Sequence, residues 1–159
     1  MRAKLSLIAL TGLLIAAVAL PSGSAASAKP KPKAQGTCSG TYTNATPGKL
    51  KGYDFGLLSC KGLFGKGVQV VTYSETLTAS GAVSASGTTK VYGDLGTMHG
   101  TYKLAGKLVG STATVTGAGK ITGGTGAYKG AKGTTKQTCT TTDAGAHYTC
   151  SFKVSLSKL

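Results

Sequence analysis

The stretch His147-Tyr148-Thr149-Cys150-Ser151-Phe152-Lys153-Val154-Ser155-Leu156 decides the fold class of this chain, because it alternates between two kinds of residue. Its even-numbered positions are apolar or aromatic, and its odd-numbered positions are polar or charged. Successive side chains of a β-strand point to opposite faces, so this pattern predicts a strand with one buried and one solvent-facing side. From Thr37 onward no segment shows a sustained apolar period of 3.6 residues, which argues against long helices.

Weaker versions of the same pattern recur through the rest of the chain, punctuated by glycine. They predict seven further strands, near 38–42, 50–59, 68–79, 82–92, 97–105, 107–122 and 132–142. Eight strands with turns about every 8–12 residues predict an eight-stranded antiparallel β-barrel, with a β-sandwich as the minor alternative. The Gly and Thr content also allows a β-solenoid, which stays a minor alternative because the sequence has no fixed repeat period.

The four cysteines, Cys38, Cys60, Cys139 and Cys150, predict two disulfides. A two-residue loop at Ala144-Gly145 would place Cys139 opposite Cys150 on neighbouring strands, within bridging distance. Cys38 would then pair with Cys60. The alternative joins the first strand to the last, as closure of a barrel would permit. Because the chain has no Cys-x-x-Cys and no pairs at zinc-ligand spacing, we expect neither a redox role nor a metal site.

The N-terminal segment has the layout of a secretory signal peptide. A positive start, Met1-Arg2-Ala3-Lys4, precedes an apolar run from Leu5 to Leu20, and small residues follow as far as Ala28. We therefore expect residues 1–28 to be cleaved, leaving no transmembrane segment and a protein that is secreted, extracellular or in the cell envelope. Residues 29–36 are rich in Lys and Pro and predict a flexible tail before a barrel domain spanning 37–159.

The mature chain is strongly basic. Without Arg2 and Lys4, 16 lysines face four acids, which gives a net charge near +12. This excess suggests attraction to an anionic cell-envelope polymer, although a solvated coat of lysines that keeps the protein soluble explains it equally. Specific recognition of phosphates and bases relies on the paired hydrogen bonds of the Arg guanidinium group, which Lys cannot form. Because the mature chain lacks Arg, we expect no sequence-specific binding to nucleic acid.

The most specific motif is Ile121-Thr122-Gly123-Gly124-Thr125-Gly126-Ala127-Tyr128-Lys129-Gly130-Ala131-Lys132-Gly133. A glycine-rich loop after a strand is typical of phosphate binding, but here no helical run follows and the Gly-Lys-Ser/Thr order is missing. We therefore expect no nucleotide and no other cofactor.

The string Gly-Gly-Thr-Gly-x-Tyr-x-Gly-Ala-x-Gly resembles the signature of the allene oxide cyclase-like barrels, which include the plant dirigent proteins and many secreted bacterial proteins of unknown role. The resemblance covers residues 105–159. It implies an eight-stranded barrel in which the motif joins two long strands, its glycines permit a tight turn and its aromatic side chain plugs one end. The positions to which it assigns this structural role are Gly123, Gly124, Thr125, Gly126, Tyr128, Gly130, Ala131 and Gly133. Dirigent-type relatives commonly form trimers, so the resemblance also makes an oligomer an expectation.

Glu75 is the candidate for a functional acid. It shares one face of the predicted strand 68–79 with Val71, Tyr73 and Leu77. If that face is the inner one, desolvation should raise the pKa of the Glu75 carboxyl, which could then bind or polarise a ligand. Tyr73 and Tyr42 are the further candidates for ligand binding. The opposite face carries Val68 and Val70; if it is the inner one, Glu75 lies in solvent.

The remaining titratable residues predict no catalytic arrangement. We expect His99 and His147 to be exposed on strands, and Asp54, Asp94 and Asp143 to accept local backbone hydrogen bonds at turns. The sequence thus favours a secreted, non-enzymatic β-barrel that binds a small apolar ligand or associates with anionic envelope polymers. The alternative is a cyclase- or dirigent-like catalyst that confines a reactive intermediate, with Glu75 as its interior acid.

Overall fold

The computed structural model describes residues 35–63 and 65–159. They form eight strands, namely β1 (Gln35–Asn44), β2 (Lys51–Lys61), β3 (Gly65–Leu77), β4 (Ala82–Gly93), β5 (Gly96–Val109), β6 (Thr112–Gly124), β7 (Lys132–Thr141) and β8 (His147–Lys158). Each strand pairs antiparallel with the next, and β8 pairs with β1, so the sheet closes into a barrel. The predicted barrel is confirmed and the sandwich alternative is wrong.

The predicted signal peptide, residues 1–28, lies outside the described residues, as does the predicted tail up to residue 34. Gln35 and Gly36 were expected in that tail but already belong to β1, where they pair with Ser155 and Val154 of β8. The pairing with β8 therefore extends the barrel two residues further towards the N-terminus than the composition suggested.

The boundary between β5 and β6 differs from the prediction. The sequence favoured a break near Gly106, but β5 continues to Val109 and the chain turns at 110–111. Gly106 lies inside the strand, where a Cβ would come within 2.0 Å of the Thr114 carbonyl oxygen on β6. This glycine therefore permits a close approach of two strands rather than a turn.

Residues 142–146 connect β7 to β8, and the chain reverses at Ala144 and Gly145. Ala144 and Gly145 both have positive φ, 55° and 91°, which matches the turn that best fits the twist of paired strands. Cys139 lies opposite Cys150, and the two are bonded. Cys38 lies opposite Cys60 on β1 and β2 and is bonded to it, so the alternative that joins the first strand to the last does not occur.

One end of the barrel is closed by the segment between β6 and β7. Gly126–Tyr128 form a single 3₁₀ turn, and the Tyr128 side chain is 0% exposed. The segment is held against the β4–β5 turn, since the Ala127 amide donates to the Leu95 carbonyl oxygen at 2.8 Å. Gly126 leaves the room for this contact, because a Cβ there would lie 2.5 Å from the Leu95 carbonyl oxygen.

Candidate functional site

The barrel encloses a cavity of about 310 Å³. Most of the side chains that line it are apolar, among them Leu58, Val71, Val83, Leu104, Val115 and Phe152. Its lining also includes Lys49 in the β1–β2 loop and Gly145 in the β7–β8 turn. The cavity therefore reaches the end of the barrel opposite Tyr128, and that end is its mouth.

Glu75 lies on the inner side of β3. Val71, Tyr73 and Leu77 line the cavity with it, whereas Val68 on the other face is 44% exposed. The alternative arrangement, with Val68 and Val70 inside, is therefore wrong. Partial burial raises the pKa of the Glu75 carboxyl above its usual value.

Asp54 was expected at a turn, and that prediction is wrong. It lies within β2, opposite Val71 of β3, and lines the cavity. Its Oδ1 atom is buried and has no hydrogen-bond partner. Desolvation, and secondarily the negative charge of Glu75, raises the pKa of Asp54 to about 7. The signal was available in the sequence, because Asp54 is separated from Leu58 and Cys60 by even numbers of residues and so shares their face.

The two candidate tyrosines line the cavity, but protein groups occupy their hydroxyls. The Tyr42 hydroxyl donates to Oε1 of Gln69, whose amide in turn donates to Thr89. The Tyr73 hydroxyl lies 3.0 Å from the Thr46 hydroxyl and 3.1 Å from the Lys49 carbonyl oxygen. Tyr73 therefore anchors the β1–β2 loop at the mouth.

Two further tyrosines, Tyr102 and Tyr148, line the cavity and were missed as site residues. The Tyr102 hydroxyl donates to the Thr72 carbonyl oxygen at 3.2 Å, and the Tyr148 hydroxyl interacts with Asn44. Burial, and then the charge of Asp54, raises the pKa of both phenols as it does that of Tyr42. All three are therefore uncharged at physiological pH, and each lies near enough to Asp54 for the charge of its carboxylate to act on the phenol.

Three basic residues, Lys49, His99 and Lys120, also line the cavity, whereas Asp94 and Asp143 do not. The His99 side chain is exposed on β5, as expected. Asp143 accepts a hydrogen bond from the His147 amide at 2.9 Å and lies 2.6 Å from its imidazole, which confirms the local role expected of Asp143. These hydrogen bonds hold the pKa of Asp143 below its usual value. Asp94 lies in the turn between β4 and β5.

The charges of the protein are separated by the barrel wall. Two of its four acids, Asp54 and Glu75, face the interior. The lysines of the described residues are all exposed, at positions 49, 51, 61, 66, 90, 103, 107, 120, 129, 132, 136, 153 and 158. Because β-strand side chains alternate, most of these lysines point away from the cavity, and the interior carries the opposite charge from the outer surface.

Two further properties concern residues 35–63 and 65–159. In this part of the chain no three His, Cys, Asp or Glu residues lie together in a way that could hold a metal ion. It also contains no helix with the length and apolar character needed to cross a membrane. The two disulfides are compatible with an exported protein.

The fold and site define this protein as a hollow, disulfide-linked β-barrel with an acidic interior. Comparisons with protein-family models, curated proteins and solved structures give no match to this chain. The resemblance to allene oxide cyclase-like barrels therefore stays a prediction based on the motif at 123–133.

Proposed function

We propose that this protein is an exported, non-enzymatic β-barrel that binds a small, largely apolar ligand in its interior. The observation that carries the proposal is the cavity of about 310 Å³, whose lining is mainly apolar. Small-molecule sites are concave, mostly apolar and usually pre-formed, with volumes from about 300 Å³ upwards. Export rests on the signal-peptide layout of residues 1–28 and on the two disulfides.

Filling the cavity from the protein side tests this proposal. Ala85 lines the cavity on β4, and its neighbour Ser86 is exposed. We expect the neutral dye N-phenyl-1-naphthylamine to bind the wild type with a rise in fluorescence. The Ala85→Phe variant should bind at least about tenfold more weakly, because the new ring occupies the ligand volume. The control Ser86→Phe adds the same ring outside and should bind like the wild type.

Thermal unfolding of each variant establishes that it is folded before its affinity is compared. Equal dye binding by the wild type and folded Ala85→Phe would place the dye outside the barrel and contradict the proposal. Absence of dye binding by the wild type would contradict it as well.

The exposed lysines support a second activity, association with an anionic envelope polymer. Thirteen of them lie on the described surface, and that surface has no Arg and few acids. Such a surface attracts polyanions without selecting among them by shape.

Asp54 favours the catalytic alternative, in which the barrel confines a reactive intermediate as in cyclases or dirigent proteins. Its pKa of about 7 lets it gain or lose a proton near neutral pH, as a general acid or base requires. A screen of reactive terpenoid and phenolic intermediates would test this, with loss of product formation expected in both Asp54→Asn and Glu75→Gln. Product formation at the wild-type rate by either variant would exclude that carboxyl from the reaction.

A further inference from the structure

The acid groups that line the cavity are the carboxyls of Asp54 and Glu75. The hydroxyls of Tyr42, Tyr73, Tyr102 and Tyr148 already interact with protein groups. By contrast, neither Asp54 nor Glu75 forms a hydrogen bond or salt bridge with a side chain among residues 35–63 and 65–159, where the salt bridge present is His147–Asp143. A ligand that enters the barrel therefore meets acid groups whose interactions are unsatisfied.

The two carboxyls lie on neighbouring strands along the same side of the cavity. Asp54 is opposite Val71 on β3, and the Glu75 amide donates to the Leu50 carbonyl oxygen near the mouth. Tyr73 lies between them along β3. Glu75 is therefore nearer the mouth and Asp54 deeper in the barrel. The carboxyls are close enough for the charge of one to disfavour ionisation of the other.

Among residues 35–63 and 65–159, no basic side chain forms a salt bridge with either acid. Lys49 lines the cavity at the mouth, and Lys120 and His99 line it towards the opposite end. The other described lysines are exposed. A carboxylate buried without a partner is costly, and proteins normally pair it or keep it protonated. Although the chain has 18 basic residues, none of those described forms a salt bridge with Asp54 or Glu75, so the interior offers a site for the positive charge of a ligand.

The surroundings of Asp54 favour an organic cation over an inorganic one. Tyr42, Tyr102 and Tyr148 line the cavity within reach of the Asp54 charge, and the Phe152 ring lines it with its centroid 6.3 Å from that of Tyr42. Aromatic faces attract alkylated ammonium groups, whereas a small metal ion would need more oxygen ligands than two carboxyls offer. The apolar lining then suits the rest of an organic molecule.

We propose that the ligand of this barrel is a small apolar organic cation, an amine or quaternary ammonium compound, whose charge lies between Asp54 and Glu75 and whose apolar part fills the cavity. This inference rests on the proposed function of the barrel as a ligand-binding protein. It adds the chemical class of the ligand, with the carboxyls contributing charge and the tyrosine rings contributing contact with the alkyl groups.

A pair of probes of equal shape tests the inference. Benzyltrimethylammonium and neopentylbenzene differ by the replacement of a charged nitrogen with carbon. Their affinities are measured by displacement of N-phenyl-1-naphthylamine from the purified protein at pH 5 and pH 9. At pH 9 Asp54, with a pKa of about 7, is ionised, whereas burial raises the pKa of Tyr42, Tyr102 and Tyr148 and keeps their phenols neutral. We expect the cation to bind at least about tenfold more tightly than the neutral probe at pH 9, with a smaller preference at pH 5.

Matched variants locate the preference within the barrel. Asp54→Asn and Glu75→Gln should each lower the ratio of cation to neutral affinity at pH 9 by several fold. The control Asp94→Asn removes one negative charge at the opposite end and should leave the ratio as in the wild type.

Two results would overturn the inference. One is a cation affinity at pH 9 no greater than that of neopentylbenzene. The other is a ratio of cation to neutral affinity at pH 9 that is the same in Asp54→Asn and in Glu75→Gln as in the wild type. In either case, dye binding that Ala85→Phe weakens would leave the proposed function intact. If the wild type fails to bind the dye, the proposed function and the inference that rests on it are both overturned.

Discussion

At the scale of single residues, the interior acids oppose the stability of the empty barrel. The pKa of Asp54 is about 7 in the folded protein against a usual value of 3.8. Between these two pH values the unfolded chain has released the proton that the folded protein still holds. The free energy of unfolding therefore falls as pH rises through this window.

Replacing Asp54 by Asn should remove that loss. When the pH is raised from 4 to 8, we expect the free energy of unfolding of Asp54→Asn to rise by about 1–2 kcal/mol relative to that of the wild type, because the amide does not ionise. The figure allows for screening by water that enters from the mouth. Urea unfolding at the two pH values measures the difference. Asp94→Asn is the control, because the Asp94 carboxyl lies in the β4–β5 turn. An equal gain in the free energy of unfolding by this variant would contradict the attribution of the effect to burial of Asp54.

The contrast between Asp54 and Glu75 shows what the sequence reveals about a site. Glu75 was found because it alternates with Val71, Tyr73 and Leu77, so its face is apolar. Asp54 shares its face with Gly52 and Gly56, which carry no side chain to mark it as the inner one. Those glycines exist to make room: a Cβ on Gly56 would come within 2.2 Å of the Tyr42 ring. On β2 the inner face is therefore marked in the sequence only by Leu58 and Cys60, four and six positions after Asp54.

At the scale of elements, the two disulfides link strands that are already hydrogen-bonded neighbours. They close loops of different length, with sequence separations of 22 for Cys38–Cys60 and 11 for Cys139–Cys150. Restricting the unfolded chain contributes about 3.4 kcal/mol for the longer loop and about 2.8 kcal/mol for the shorter one in the chain-entropy account.

We therefore expect the double variant Cys38→Ala/Cys60→Ala to lose slightly more stability than Cys139→Ala/Cys150→Ala, with each losing about 3 kcal/mol. Denaturant unfolding of the two variants and the wild type measures these losses. If both double variants lose less than about 1 kcal/mol of stability, the disulfides do not stabilise the protein by restricting its unfolded chain, which contradicts this account.

The strands themselves could be predicted because their alternation is a local property. The alternation does not reveal where the pairing of two neighbouring strands becomes irregular. The register of β5 with β6 shifts between His99 and Gly100, which leaves Thr122 of β6 as an extra residue. Such a bulge depends on the partner strand and on the segment carrying Tyr128, neither of which can be inferred from the residues around Thr122 alone.

At the scale of the whole molecule, the barrel wall separates a positive exterior from an acidic interior. The two surfaces should respond differently to salt, since exposed charges are screened over about 8 Å at physiological ionic strength. We expect retention on a phosphate-bearing polymer resin to fall more than about tenfold between 50 and 500 mM NaCl, while dye binding inside stays nearly constant.

Acetylation of the lysines provides the control for this experiment. It removes the outer charge and should abolish retention on the resin without weakening dye binding. If retention persists after acetylation, adhesion does not depend on the lysines and the polymer proposal fails.

Closure of the sheet by β1 and β8 has a consequence for the order of the strands along the chain. Gln35 and Ser155 lie opposite each other, so the two ends of the barrel segment are adjacent. A short linker could join residues 35 and 158, and the chain could instead be opened at the exposed turn 78–81. Each strand would keep both of its neighbours. Circular permutation should therefore preserve the barrel, because the closed sheet does not depend on which strand comes first in the chain.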